Sequence, residues 1–158
     1  MLFSIGYLGL TPQQLIDALQ EYEIELLIDV RSSPRSKFPA FNSENIAPIL
    51  IENEIEYKWH GDRLGGRSKI EDSALVSLIE IQREKVVCIM CMESVIKNCH
   101  RYYEIGQRLL NNHAIEVSHI KVKPPKKLKN TLSEERRIIE PVPICSIVLN
   151  TGDQTRLL

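Results

Sequence analysis

Two stretches constrain the fold most tightly: Ile24–Val30 (IELLIDV) and Val86–Cys91 (VVCIMC). Both are short, nearly unbroken apolar runs rich in branched side chains. A strand covered on one face alternates apolar and polar residues. A strand apolar on both sides is covered on both faces, which is the condition of a parallel sheet sandwiched between helices. The rest of the chain supplies those helices.

Leu2–Ile5 is a first short strand, and Thr11-Pro12-Gln13-Gln14 announces a helix after it. Thr11 can cap, Pro12 suits the first helical position, and Gln14 stands where a capping box needs it. Leu15, Ile16, Leu19 and Tyr22 follow at helical spacing. After the Ile24–Val30 strand, Asn42 or Ser43 opens a second helix carrying Ile46, Ile49 and Leu50, with Pro48 as a local cost. Ile55–Trp59 alternates as a third strand. Asp72 or Ser73 caps a helix bearing Leu75, Leu78 and Ile79. Val86–Cys91 is the fourth strand, Asn98 is read as the cap of a helix beginning at Cys99, and Ile115–Ile120 is a fifth strand. Residues 1–120 therefore read as a single three-layer α/β domain: a mainly parallel sheet of about five strands, with helices on both faces.

The remainder, 121–158, reads differently. Lys121–Lys129 carries five lysines and two prolines, the composition of an extended linker. Pro143–Asn150 is strand-like, either an edge strand of this subunit or one donated to a partner, so a homodimer through the tail is one reading.

Composition removes several classes of function. A net charge of -1 provides no global basic field for nonspecific nucleic-acid binding, so any anion site must arise from local clustering. No apolar run reaches the roughly 18 residues of a membrane span. The N-terminus lacks a basic n-region, and the four cysteines then read as reduced thiols of a cytoplasmic protein. Neither a G-x-x-x-x-G-K-[ST] nor a G-x-G-x-x-G fingerprint occurs, and no cofactor is implied.

In a parallel sheet every strand points its C-terminal end to one side, where ligands bind. The residues delivered there are Tyr7; Arg31, Ser32 and Arg35; His60, Arg63 and Arg67; and Cys91, Glu93, Cys99, His100 and Arg101. Five arginines on one rim point to an anionic ligand, because a guanidinium pairs with phosphate or carboxylate through two parallel hydrogen bonds. Cys91 or Cys99 is the candidate nucleophile, Glu93 a candidate general base and His100 a proton carrier. Arg31, Ser32, Arg35, His60, Arg63, Arg67, Arg101 and Tyr7 are the candidate substrate-binding residues. Asp29, inside a buried strand, is read as a partner for Arg31 or for backbone amides. Cys88 and Cys91 spell C-x-x-C, but residues three apart in a strand face opposite ways, so Cys88 is read as core. The seven-residue gap between Cys91 and Cys99, with His100 adjacent, is not a standard zinc spacing, so no metal is assigned. Gly65-Gly66 is read either as a plain turn or as a flexible segment able to close over a ligand.

Several of these segments occur together in a known family. SIGYLGLTPQQLIDAL, IELLIDVRSSPRSKFPAFN, IEYKWHGDRLGGR and CMES…CHRYY, in that order across residues 1–120, resemble the family catalogued as domain of unknown function 488. The resemblance implies a compact α/β domain and assigns no reaction. It implies that Arg31, Ser32, Pro34, Arg35, Phe38, Asn42, Gly61, Leu64, Gly65, Gly66, Arg67, Cys91, Glu93, Cys99, His100 and Arg101 belong to family motifs. Met92 and Ser94-Val95-Ile96-Lys97 depart from the pattern.

The functional expectation is an enzyme acting on an anionic substrate, phosphate-bearing and nucleotide- or nucleic-acid-derived, at a Cys/His/Glu/Arg pocket. The alternatives are a noncatalytic module binding nucleic acid or nucleotide, and a thiol-based redox sensor using Cys91 and Cys99.

Overall fold

A computed structural model describes residues 1–123; the readings placed on residues 124–158 lie outside the described residues. The strands are β1 (Leu2–Gly6), β2 (Leu26–Asp29), β3 (Glu56–Trp59), β4 (Val87–Cys91) and β5 (Ser118–Ile120). They form one sheet in the order β3-β2-β4-β1-β5, and every pairing is parallel. The two apolar runs, Ile24–Val30 and Val86–Cys91, supply β2 and β4, which lie side by side in the interior of the sheet, as both-face burial requires.

The two-residue period of the strands divides the core into two layers. Phe3, Ile5, Leu27, Cys88 and Met90 point to one face, where α1 (Pro12–Glu21) and α2 (Ser43–Glu52) contribute Leu15, Ile16, Leu19, Ile46 and Leu50. Leu2, Leu26, Ile28, Val87 and Ile89 point to the other. There they meet Leu64 of the short helix α3 (Gly61–Leu64) and Ala74, Leu75 and Leu78 of α4 (Asp72–Glu84). Leu109 of α5 (Gln107–His113) completes that layer. Cys88 lies in the first layer and Cys91 packs against the second, which places the two thiols on opposite faces as the strand period demands.

The connections explain where a ligand can sit. From β1 through β2 to β3 the chain moves outward in one direction, and from β3 through β4 to β5 it moves back. The helices of the two passes cover opposite faces. Adjacent strands β2, β4 and β1 thus feed loops that diverge to opposite faces, opening a crevice at their C-terminal ends.

Local starts and stops follow the sequence at some elements and depart at others. Thr11 caps α1 and forms the full capping box with Gln14. Asn42 occupies the N-cap position of α2, but its side chain accepts from the amide of Ser36 instead of from the helix. Glu71, not Asp72 or Ser73, is the N-cap of α4. The expected helix at Cys99 starts later. Ile96–Asn98 forms a 3-10 turn, Cys99 is extended, and the helix opens at Arg101 as a π-turn to Gly106 that continues into α5. Asn98 lies inside the 3-10 turn, with its amide bonded to Val95, and His100 holds the N-cap position of the helical segment that follows. The glycine-rich segment after β3 contains α3, a helical turn not read from the sequence.

Candidate functional site

A cleft of about 440 Å³ opens at the C-terminal ends of β1, β2 and β4. The floor holds Cys91, at the end of β4, and His100, just before the π-turn. Arg31, Ser32, Arg35 and Lys37 from the loop after β2 form one wall, with Gly66 and Arg67 at the rim. Cys99 is buried beside the floor.

The His100 ring is fixed by its surroundings. Nε2 lies 3.1 Å from the carbonyl of Val30 and 2.9 Å from that of Leu64. Carbonyls only accept, so Nε2 carries the proton and Nδ1 of the neutral ring presents its lone pair. That lone pair faces two thiols, with Cys91 Sγ at 3.9 Å and Cys99 Sγ at 3.8 Å. All three donor atoms lie within 4.8 Å of one another. Cys88, one turn of sequence earlier, is on the other face of the sheet, and burial pushes its thiol up.

The two thiols behave as a pair that shares a proton. The hydrogen bond from Cys91 outweighs burial and draws Cys99 down to about 4, helped by His100 and by the amide and charge of Arg101. Cys91 is pushed up by its hydrogen bond to Cys99 and by burial. Burial pulls His100 down, but Cys99 and the two carbonyls carry it above the ordinary imidazole value.

The wall is built to hold its shape. Arg31 forms a two-pronged pair with Asp29, Nε to Oδ1 at 2.8 Å and Nη2 to Oδ2 at 2.6 Å, and its own amide also donates to Oδ1. Tyr57 donates to the same carboxylate at 2.6 Å, and the remaining guanidinium donors reach Tyr7 and the carbonyl of Pro34. Tyr7 stacks on Phe41 with ring centroids 4.3 Å apart and donates to Ser36, whose hydroxyl receives the amide of Phe38. This buried pair sets the path of the loop, leaving Arg31 few donors for a ligand.

Glycine is required where the loops meet. A Cβ on Gly66 would lie 2.8 Å from Cγ of His100, and one on Gly61 would overlap the carbonyl of Arg31. The Gly65-Gly66 pair is thus a close-packing element against His100 and Ser32, a role that neither reading of the pair from sequence named.

Of the residues singled out in the sequence, Tyr7, Arg31, Ser32, Arg35, Arg67, Cys91 and His100 line the cleft together. Others stand apart from the lining. The Glu93 carboxylate accepts from the amide of Val95 and caps its own loop. Arg101 is 2% exposed, with Nη1 donating to the carbonyl of Glu93 at 2.6 Å and Nε to Ser4 at 3.4 Å. Arg63 donates to Ser73 on α4. His60 sits at the start of α3, and burial holds its imidazole below the ordinary value. Three cations remain turned to the cleft without a buried partner: Arg35, whose contact with Glu44 is exposed and 3.6 Å long, Lys37 and Arg67. Ser33, which the sequence delivers to the same rim, lines it too, as do Ser36, Lys37 and Met92, which were not among the candidate residues. The basic, hydroxyl-rich composition of residues 31–39 was the signal for the serines and the lysine; Met92, after β4, had no such signal.

Among the described residues no helix is long and apolar enough to cross a membrane. No curated protein matches the chain, and no solved structure matches it. The matched stretch of the family comparison takes in the arginine wall and the Gly65-Gly66-Arg67 rim and ends before Cys91. Over residues 11–74 the chain matches the family model described as "Domain of unknown function DUF488", the family its sequence resembles.

Proposed function

We propose that this protein is an enzyme acting on an anionic, phosphate-bearing substrate bound in the cleft above Cys91 and His100. One observation carries the reading: a ring nitrogen and two thiols converge, Cys91 and His100 on the floor and Cys99 buried beside it, in a cleft whose wall and rim present Arg35, Lys37 and Arg67. A binding module needs only the cations. Two thiols packed on a tautomer-fixed imidazole cost burial of polar groups, which a reacting centre justifies and a phosphate clamp does not.

In this reading Arg35, Lys37 and Arg67 hold the anion, and the hydroxyls of Ser32 and Ser33 add donors. Arg31 positions the loop through Asp29 and Tyr7. A cleft of about 440 Å³ accommodates a ligand of nucleotide size. The reacting bond lies over Cys91, the thiol of the pair that lines the cleft.

The test is a panel of phosphate esters and nucleotides measured for both binding and turnover. Cys91→Ala and His100→Ala are expected to abolish turnover while retaining binding. Arg35→Ala and Arg67→Ala are expected to weaken binding roughly tenfold each, since a hydrogen bond to a charged group contributes about 1.5–3 kcal/mol. Ligands held equally by wild type and Cys91→Ala, with no turnover of any, would instead identify a noncatalytic binding module.

A further inference from the structure

We propose that Cys91, Cys99 and His100 bind one zinc ion, with its fourth coordination position open to the arginine-walled cleft. The inference deepens the function proposed above and depends on it only for the substrate.

The donor set is the first argument. Two cysteine sulfurs and one imidazole nitrogen suit a borderline-soft d10 cation. Geometry is the second. In a tetrahedral site with metal–sulfur bonds of about 2.3 Å and a metal–nitrogen bond of about 2.0 Å, neighbouring donors lie roughly 3.5–3.8 Å apart. Nδ1 of His100 lies 3.9 Å from one sulfur and 3.8 Å from the other, so the donors stand almost at ligating separation. The third argument is the outer shell. Metal-bound histidines donate their other ring N–H to a carbonyl or carboxylate, which fixes the tautomer and aims the lone pair. Here Val30 and Leu64 provide two such carbonyls to Nε2. Gly66 packs against the ring and prevents it from turning away.

The local backbone makes the set possible. Cys91 ends β4, and Cys99 is extended where a regular helix would have turned its side chain elsewhere. The helix is delayed to Arg101, so Cys99 and His100 both face back to Cys91. This delay is the reason that a spacing unlike a standard zinc motif yields a three-donor site.

The surroundings decide what the ion is for. Structural zinc sites close with four protein ligands; catalytic sites keep three and leave a position for water or substrate. Among the described residues the cluster has three donors, and Cys91 and His100 line the cleft. Two thiolates balance the charge of the dication, so recognition of an anionic substrate falls to Arg35, Lys37 and Arg67. The reaction class is hydrolysis of a phosphate ester. A metal-held water gives up a proton to solvent, the resulting hydroxide oxygen bonds to phosphorus, and the ester P–O bond breaks. The departing oxygen takes a proton from water. No oxidant or reductant takes part.

The test is to titrate the reduced, chelator-treated full chain with cobalt(II). The expected result is one cobalt per chain, with the intense visible bands of tetrahedral coordination and a thiolate charge-transfer band, all displaced by one equivalent of zinc. Cys91→Ser and His100→Ala should each weaken cobalt binding at least tenfold, whereas Cys145→Ser, at a thiol outside the described residues, leaves it unchanged. Cys99 is buried, where a replacement perturbs the core, so X-ray absorption on the zinc-loaded wild type gives the donor count directly. Two sulfurs, one imidazole nitrogen and one further light atom are expected. Inorganic phosphate should shift the visible cobalt bands if the fourth position opens into the cleft. Absence of stoichiometric binding, a sulfur count other than two, or indifference to Cys91→Ser and His100→Ala would overturn the metal site. Unshifted bands under saturating phosphate would overturn its open position. Phosphate binding that persists in a chain unable to bind cobalt would leave the arginine cleft standing and overturn the zinc.

Discussion

Asp29 is the residue on which the wall of the cleft depends. It is fully buried and takes four hydrogen bonds, three from Arg31 and one from Tyr57. Removing one member of a buried pair leaves the other charged, desolvated and alone, at a cost of about 3–5 kcal/mol. Asp29→Ala is therefore expected to lower the unfolding free energy obtained from urea denaturation by that much and to disorder the 31–42 loop. The sequence made this partnership legible, because an acid inside an apolar strand needs a donor nearby and Arg31 stands two residues on. Gly66 was less legible, for a sequence cannot tell a flexible glycine from a crowded one. Gly66→Ala places a methyl against a ring that two carbonyls hold in place. The His100 ring is expected to shift, and turnover to fall by more than stability does. A turnover equal to wild type would show that the close packing at Gly66 does not matter.

At the scale of elements, the clearest starts are those whose chemistry is local. Thr11 and Gln14 satisfy each other's backbone amides at the head of α1. Thr11→Ala is expected to cost about 1 kcal/mol in thermal or urea denaturation, without effect on the cleft. The same local reasoning failed at Asn98, because a nonlocal demand prevails there. Gly6 has no side chain, and the backbone of Glu93 and the Arg101 guanidinium pass through the space a Cβ would fill. Arg101 then spans from the Glu93 carbonyl to Ser4, drawing the loop after β4 down onto the sheet. That loop needs its turn at Ile96–Asn98, and the helix begins after it. The π-turn at Arg101–Gly106 has no signature in a two- or three-and-a-half-residue period, and a wide helical turn of this kind is often found beside a functional site.

For the whole molecule, the parallel architecture and its five strands were legible from apolar periodicity, since both-face burial is a property of β2 and β4 taken singly. Strand order was not, because it depends on which helix covers which face. The order β3-β2-β4-β1-β5 is what brings the Arg31 loop beside Cys91. It also places the buried Ser4 hydroxyl 2.5 Å from Nδ1 of the half-buried His119, where the hydroxyl receives Nε–H of Arg101. Burial, then the charge of Arg101, hold His119 below its ordinary 6.5. Its imidazole therefore takes a proton more readily when unfolded. Its contribution to stability is therefore complete above the unfolded value and is lost as pH falls through that value toward the folded one. The wild-type urea midpoint is expected to fall more steeply from pH 7 to pH 5 than that of His119→Gln. Parallel slopes would show that His119 is not the group involved.

The arrangement of the cleft makes one demand that a single titration can meet: an anion held by Arg35 and Arg67 must lie over His100. In a proton–carbon NMR titration with inorganic phosphate at low salt, the His100 ring signal, assigned by its loss in His100→Gln, is expected to move saturably. The Arg35→Ala, Arg67→Ala double variant should need at least tenfold more phosphate for the same shift. A His100 signal that stays still while phosphate binds, or a double variant with wild-type affinity, would contradict the assignment of this cleft.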